Sequence, residues 1–321
     1  MTRDQLTYLV FGIVLVLAII LDLGLFSKRS THVSLKKALW ISIFWIVLGL
    51  SFGIFIWYEL GKEYAIEYVS AYLMEKSLSI DNIFVFILLF NFFYVKEDYY
   101  ARVLLIGILM AIVFRVLFIT VGVGLVNQFN WILYIFGAFL VYTGYRMFTH
   151  DNKAEYNPAE SPVYKFIRRI LPVTPEDHGG RLVVKVDGKR RYTTLFVVVI
   201  MLATTDIVFA VDSIPAVMGI SRHLLVIYTS NIFAVLGLRS LFFLLKGAVD
   251  KFSHLQQGIA FVLIFIGLKM LAEIFHVNVP VYVSLLVILV SVAAAMVYSV
   301  TVANKAAKNN GSDAGHERDL H

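Results

Sequence analysis

Apolar stretches of about twenty residues, separated by short polar links, recur along the whole of this chain. That length matches the roughly 30 Å of hydrocarbon in a bilayer, where a helix is needed to satisfy every backbone N–H and C=O internally. Nine spans are expected, at roughly 7–27, 38–58, 65–94, 102–126, 130–149, 193–218, 223–246, 256–275 and 280–302. Composition agrees: 60% of the 321 residues are hydrophobic and only 16% are charged, against about 25% charged in an ordinary soluble domain. The first stretch lacks a small-residue cleavage site and runs on into "SKRS", so it reads as a retained helix and not a removed signal peptide. The expected fold is therefore all-α, a polytopic membrane protein.

Lysine and arginine in the links set the orientation. "SKRSTHVSLKK" carries four, the long link 150–192 is the richest, Lys246 and Lys251 follow the seventh span, and Lys305 and Lys308 lie in the tail. The alternate links "ELGKEY", "NQFN" and "HVNV" are acidic or uncharged. Nine helices starting outside and ending in the cytoplasm put every basic link on one side. The net charge of +6 is absorbed by this bias and gives no case for nucleic-acid binding. The absence of cysteine excludes disulfides, thiolate metal sites and thiol redox motifs. Within 150–192, "SPVYKFIRRIL" reads as a short basic amphipathic helix with Pro162 near its start, and "RLVVKVDGKRRYTTL" as a hairpin about an Asp-Gly turn. Protein partners are possible through this link, the one sizeable segment outside the membrane. The polar tail "NKAAKNNGSDAGHERDLH" reads as disordered.

Two spans break the apolar rule. "EKSLSIDN" places Glu75, Lys76 and Asp81 in the third, and "TTDIVFAVDSIPAV" places Asp206 and Asp212 in the sixth. The two stretches align, Glu75 with Asp206, Asp81 with Asp212 and Asn82 with Ser213; farther on Arg115 aligns with Arg239, and Gly144 with Gly267. Matches in the same order on three successive spans indicate duplication. The first copy starts outside and the second inside, so the repeats are inverted, the arrangement of many secondary transporters, whose sites lie near the midplane where repeats meet. The expected organisation is two N-terminal spans (1–64), a first repeat (65–149), a cytoplasmic link (150–192), a second repeat (193–275) and a last span with its tail (276–321).

An ionised carboxylate in the bilayer needs water, a cation or a partner. The structural explanation is neutralisation by Lys76, Arg115, Arg239 or Lys269; the functional one is an ion site. Residues six apart lie about 120° apart around a helix and about 9 Å apart along it. Either the acids of one helix form two layers, or the helices break and bring them together, and Pro215 favours a break. Candidate ligands are Glu75, Asp81, Asn82, Asp206, Asp212, Ser213 and Asn231. Such an all-oxygen set suits manganese, magnesium or calcium. Arg115, Arg239 and Lys269 are expected to balance charge. Asp22 is expected to pair with Lys28, and Lys269 with Glu273. No nucleophile elbow, phosphate loop or zincin motif is present, so an enzyme is not expected.

At "EKSLSIDNIFVF" and "DIVFAVDSIPAV" the sequence resembles the TerC family of integral membrane proteins, especially its Alx branch. "WILYIFGAFLVYTG", "TSNIFAVLGLRSLFFLL" and "GIAFVLIFIGLKML" fit the same family in order, over roughly residues 10–300. The resemblance implies manganese export from a bacterial cytoplasmic membrane, with the family's acidic residues at Glu75, Asp81, Asp206 and Asp212. Mn2+ is then a transported substrate, no cofactor is permanently bound, and protons are a candidate counter-ion. Two rival expectations stay open. One is an assembly or metal-loading factor working through 150–192 without transport; the other is a tellurium-linked anion transporter using Arg115, Arg239 and Lys269.

Overall fold

The computed structural model describes residues 3–27, 34–129, 131–149, 162–174, 179–186, 188–246, 255–277 and 279–316. Eleven helices run in chain order: α1 (Arg3–Ser27), α2 (Leu35–Leu60), α3 (Lys62–Phe92), α4 (Glu97–Gln128), α5 (Ile132–Thr149), α6 (Pro162–Ile170), α7 (Thr194–Met218), α8 (Leu224–Val235), α9 (Leu238–Lys246), α10 (Leu255–Ala272) and α11 (Val281–His316). Among the described residues, six helices are long and apolar enough to cross a membrane, or seven if the bent pair α8 and α9 counts as one span. The expected count of nine is not reproduced. The two remaining expected spans correspond to α1, whose described apolar part is Leu6–Asp22, and α3, whose middle carries Glu75, Lys76 and Asp81. At 31 residues, α3 is nevertheless about 46 Å long.

The helices show a bilayer's solvent logic. On α2 the buried stripe Ala38, Ile41, Trp45, Gly49, Phe52 and Ile56 returns every three to four residues, as a helix facing one neighbour must. Its exposed face carries Trp40, Val47 and Ile54 in place of charges. Such apolar exposure suits acyl chains, not water.

Packing follows the repeat. α3 packs on α8 as α7 packs on α4; α10 packs on α3 as α5 packs on α7; and α3 meets α7 as α5 meets α10. Exchanging α3, α4, α5 with α7, α8–α9, α10 maps these contacts onto one another. The most extensive contact is between α5 and α10, where a Cβ on Gly267 would sit 2.6 Å from the Gly137 carbonyl oxygen. Only glycine lets the two backbones come so near.

Neither charged helix is broken. α3 is helical from Lys62 to Phe92 and α7 passes through Pro215, ending only three residues later at Met218. A proline so close to the C-terminus loses one hydrogen bond in a turn that is already ending. The break expected at Pro215 instead lies in the next span, between α8 and α9, which meet at 41°. Gly237 there has φ +80°, and a Cβ would lie 2.6 Å from Trp45.

The link after α5 forms the expected elements in its described part. Pro162 starts α6, and β2 (Val183–Val186) pairs antiparallel with β3 (Lys189–Thr193). A short β1 (Val173–Thr174), not anticipated, pairs parallel with β3. Thr193 ends β3 and caps α7 by accepting from the Phe196 N–H. The tail differs from expectation: α11 continues as helix to His316, through "NKAAKN", where alanine and lysine are strong helix formers.

Of three apolar clusters, two succeed each other along the length of the bundle. On α3 the cluster containing Met74 gives way to the one containing Ile83; on α4 Ile119 gives way to Ile108; on α7 Ala210 gives way to Leu202. Glu75, Arg115 and Asp206 sit at that changeover, so a polar layer is sealed between two oily ones.

Candidate functional site

Arg115 is the hub of the polar layer. Its guanidinium grips Asp206 with two hydrogen bonds, Nη2 to Oδ1 at 3.0 Å and Nε to Oδ2 at 3.2 Å. Nη1 donates to Glu75 Oε1 and, at 3.5 Å, to the Asn231 carboxamide oxygen. Asn231 is held in turn by its amide, which donates to the Ile227 carbonyl at 2.8 Å. Glu75, Arg115, Asp206 and Asn231 are all at most 1% exposed. The bidentate fork on Asp206 and the further bond to Glu75 are the planar recognition that arginine, and not lysine, provides. One cation thus joins carboxylates at matching positions of the two sequence repeats.

Beside this hub lies a cavity of about 330 Å³. Glu75, Asn82, Thr143, Asp212 and Ser213 line it with oxygen atoms, and Arg115 and the exposed Arg146 supply the cations. Asp212 is half-buried and accepts from the Thr143 hydroxyl at 3.4 Å. Among the described residues, Glu75 Oε2 and Ser213 Oγ are buried without any hydrogen-bond partner. Buried polar atoms are nearly always satisfied, so these two oxygens are positioned for something the cavity receives.

Of the two arrangements left open by the sequence, layers or a gathering at a helix break, the described acids take the layered one. Among the described residues, no three His, Cys, Asp or Glu side chains form a ready metal cage. Glu75 and Asp206 are drawn onto Arg115, while Asp212 faces the cavity from the next turns of α7. The regular helix explains this: residues six apart project in different directions, giving two layers. Asp81 belongs to α3, but its side chain lies outside the described ones.

Two of the three charge-balancing cations serve other partners. Arg239 pairs with Asp22 Oδ2 at 3.3 Å and donates to the Asp22 carbonyl at 2.5 Å. The expected pairing of Asp22 with Lys28 falls outside the described residues. Lys269 donates to Ser284 at 3.3 Å, and Glu273 bonds to Arg222 at 2.5 Å. Lys269, Glu273 and Arg222 line a separate cavity of about 450 Å³ with Glu67, Ser221 and His223. The apolar core of Met74, Ile214, Met218, Ile266 and Met270 includes residues between the two cavities along α3, α7 and α10.

Two contributors were not singled out in the sequence, and a third, Lys76, was given the wrong partners. Thr143 gave a usable signal as the polar residue of "LVYTGY" in an apolar span. Glu67, which accepts from Ser221 at 2.5 Å, resembles any acid near a helix start. Lys76, next to Glu75, ignores the carboxylates; its ammonium donates to the carbonyls of Ala234 and Leu236 at 3.0 and 3.1 Å.

Residues 60–308 match the family model described as integral membrane protein TerC family. The chain is 41% identical over 282 residues to an uncharacterized membrane protein of Rickettsia felis, covering 88% of this chain and 93% of that one. It is also 41% identical over 294 residues to an uncharacterized membrane protein of Myxococcus xanthus, covering 92% and 91%. Identity is 38% over 285 residues, 86% and 88% of the two chains, to Alx of Escherichia coli K12, a protein named for a proposed role as a membrane-bound redox modulator. No solved structure matches the chain.

Proposed function

Because the chain belongs to the TerC family of integral membrane proteins, we propose that it is a secondary transporter of the bacterial cytoplasmic membrane that exports a hard divalent cation, with Mn2+ as its cargo. The observation that carries this reading is the pair of buried, unpartnered oxygens, Glu75 Oε2 and Ser213 Oγ, beside a cavity that Asp212 also faces. Glu75, Asp206 and Asp212 outnumber Arg115 and Arg146 by three charges to two. An entering cation offsets that surplus, and an oxyanion would enlarge it. Carboxylate, amide and hydroxyl oxygens are the ligands that hard cations prefer.

On this reading the repeats are inverted, with the N-terminus outside and the C-terminus in the cytoplasm, as the basic links require. The cavity then faces the cytoplasm, since α5 contributes Thr143 and Arg146 near the end that leads into link 150–192. Metal enters there and is held by Asp212, Glu75, Asn82 and Ser213. Rocking of one repeat against the other then opens the apolar core toward the second cavity. Protonation of the carboxylates from outside would favour release, because a proton competes directly with the ion for the same oxygens. Thiol–disulfide chemistry, one meaning of the redox role in the E. coli relative's name, has no cysteine to use here.

The test is Mn2+ uptake into proteoliposomes of purified full-length protein, with Mg2+ and Ca2+ as competitors. Asp212→Asn keeps the bond from Thr143 and removes the charge; it is expected to lower flux at least about tenfold, the loss of one charge-assisted contact. Flux unchanged in correctly folded Asp212→Asn removes this cavity from the mechanism.

A further inference from the structure

The break between α8 and α9 frees backbone carbonyls in the middle of the bundle. α8 ends at Val235, Leu236 is extended, and Gly237 turns with positive φ before α9 starts at Leu238. In a continuous helix the Ala234 and Leu236 carbonyls would accept from N–H groups four residues on. Here both accept from the Lys76 ammonium, which reaches across from α3 and is 8% exposed. Among the described residues Lys76 forms no ion pair, although Glu75 is its neighbour in sequence. This buried charge is satisfied by carbonyl dipoles at the negative end of a helix.

A positive charge held by carbonyls of an interrupted membrane helix is also the way such helices coordinate monovalent metal ions. Further polar atoms lie close in the fold. Tyr72 and Ser79 stand four residues before and three after Lys76, on the same face of α3. The Tyr72 hydroxyl, the Ser79 hydroxyl and the Trp45 indole N–H are all buried without a partner among the described residues. Trp45 is the side chain that packs on Gly237 at the break. Of these, the two hydroxyl oxygens on the Lys76 face of α3 are acceptors that the ammonium leaves unused.

We infer that Lys76 is a tethered cation: its ammonium fills a monovalent-cation site built by the α8–α9 break, so the protein carries covalently the charge that a bound alkali ion would otherwise supply. The site's ligand class, once the side chain is removed, is a small monovalent cation: ammonium, methylammonium, sodium or potassium. Lys76 is a positioning residue that holds the broken span against α3. The inference does not depend on metal export, and its test reads no flux.

The experiment is thermal unfolding of the purified full-length chain in detergent at constant ionic strength, with choline chloride as the reference salt. Choline is too large for a site that one ammonium fills. The wild type is expected to melt at the same temperature in choline, sodium, potassium, ammonium and methylammonium chloride. Lys76→Met keeps most of the packing volume but leaves the carbonyls unpaired. Its melting temperature is expected to fall by about 5–10 °C in every salt, the scale of losing one partner of a buried charged contact. Lys76→Ala is expected to fall similarly in choline and to regain most of the loss in at least one of the small cations. If it folds only when purified in a small-cation salt, that selectivity supports the assignment equally. The inference is overturned if Lys76→Met melts like the wild type. It is also overturned if Lys76→Ala behaves identically in choline and in all the small cations, including failing to fold in any of them.

Discussion

Removing Arg115 while leaving its two carboxylates in place would test whether the polar layer is one electrostatic unit. The guanidinium makes two hydrogen bonds to Asp206 and one to Glu75, and none of the three side chains is more than 2% exposed. Arg115→Met keeps the approximate reach of the side chain and deletes every donor. Glu75 and Asp206 are then two buried carboxylates with no counter-charge between them. Breaking a buried charge network by deleting one member costs about 3–5 kcal/mol, which in a chain of this size lowers the melting temperature by roughly 5–10 °C. Neutralising both acids in the same background, with Glu75→Gln and Asp206→Asn, removes the stranded charges. The triple variant is expected to recover about half or more of the loss, because a buried ion network replaced by neutral groups is often nearly cost-free, less the cost of any amide left unpaired. The assay is thermal unfolding in detergent of the wild type, the three single variants and the triple variant. If the three single losses simply add in the triple variant, the groups are energetically independent and Arg115 is not their hub. Arg115 also loses that role if Arg115→Met alone melts within about 1 °C of the wild type, a shift worth well under the cost of stranding charges.

The membrane fold was legible because apolar length and helix length are the same fact in a bilayer. Pro162 and the Asp-Gly pair likewise announced α6 and the hairpin through local backbone preference alone. Glu75 and Asp206 stood out because charges are costly where they lie, and the alignment of repeats singled out Arg115. What the alignment could not decide is which acids each arginine meets. Arg115 and Arg239 occupy matching positions, yet one is gripped between Glu75 and Asp206 and the other is turned to Asp22. That choice depends on which helix lies alongside, a property of packing that a repeat in sequence does not carry. The break was misplaced for a related reason. Pro215 is the stronger local signal, but it sits where α7 is about to end, whereas Gly237 is free to turn backward under Trp45. Once Gly237 breaks its span, Lys76 acquires a partner set that no reading of charged residues in pairs would propose, since its partners are backbone atoms.

Substitutions at two further places probe the packing that positions the site. Asp22→Asn leaves the backbone carbonyl that accepts from Arg239 at 2.5 Å but removes the opposing charge at 3.3 Å, so stability is expected to fall by about 1–3 kcal/mol. Mn2+ flux per folded molecule should persist, since this pair is separate from the cavity; loss of flux in a stable Asp22→Asn protein would show that Arg239 serves the cavity after all. The glycine contact between α5 and α10 makes a sharper test. A Cβ on Gly267 would lie 2.6 Å from the Gly137 carbonyl oxygen, and a Cβ on Gly137 would lie 3.0 Å from the Gly267 carbonyl oxygen. Each alanine substitution must push the same two helices apart, at a cost of about 1–3 kcal/mol. The tighter position, Gly267→Ala, should be the more damaging. Once one methyl has separated the backbones, the second finds part of its room already made, so the double variant should cost clearly less than the sum of the singles. Costs that simply sum in thermal unfolding, or a Gly267→Ala protein as stable as the wild type, would mean that α5 and α10 do not meet backbone to backbone, and the symmetric pairing of the two repeats would lose its most extensive contact.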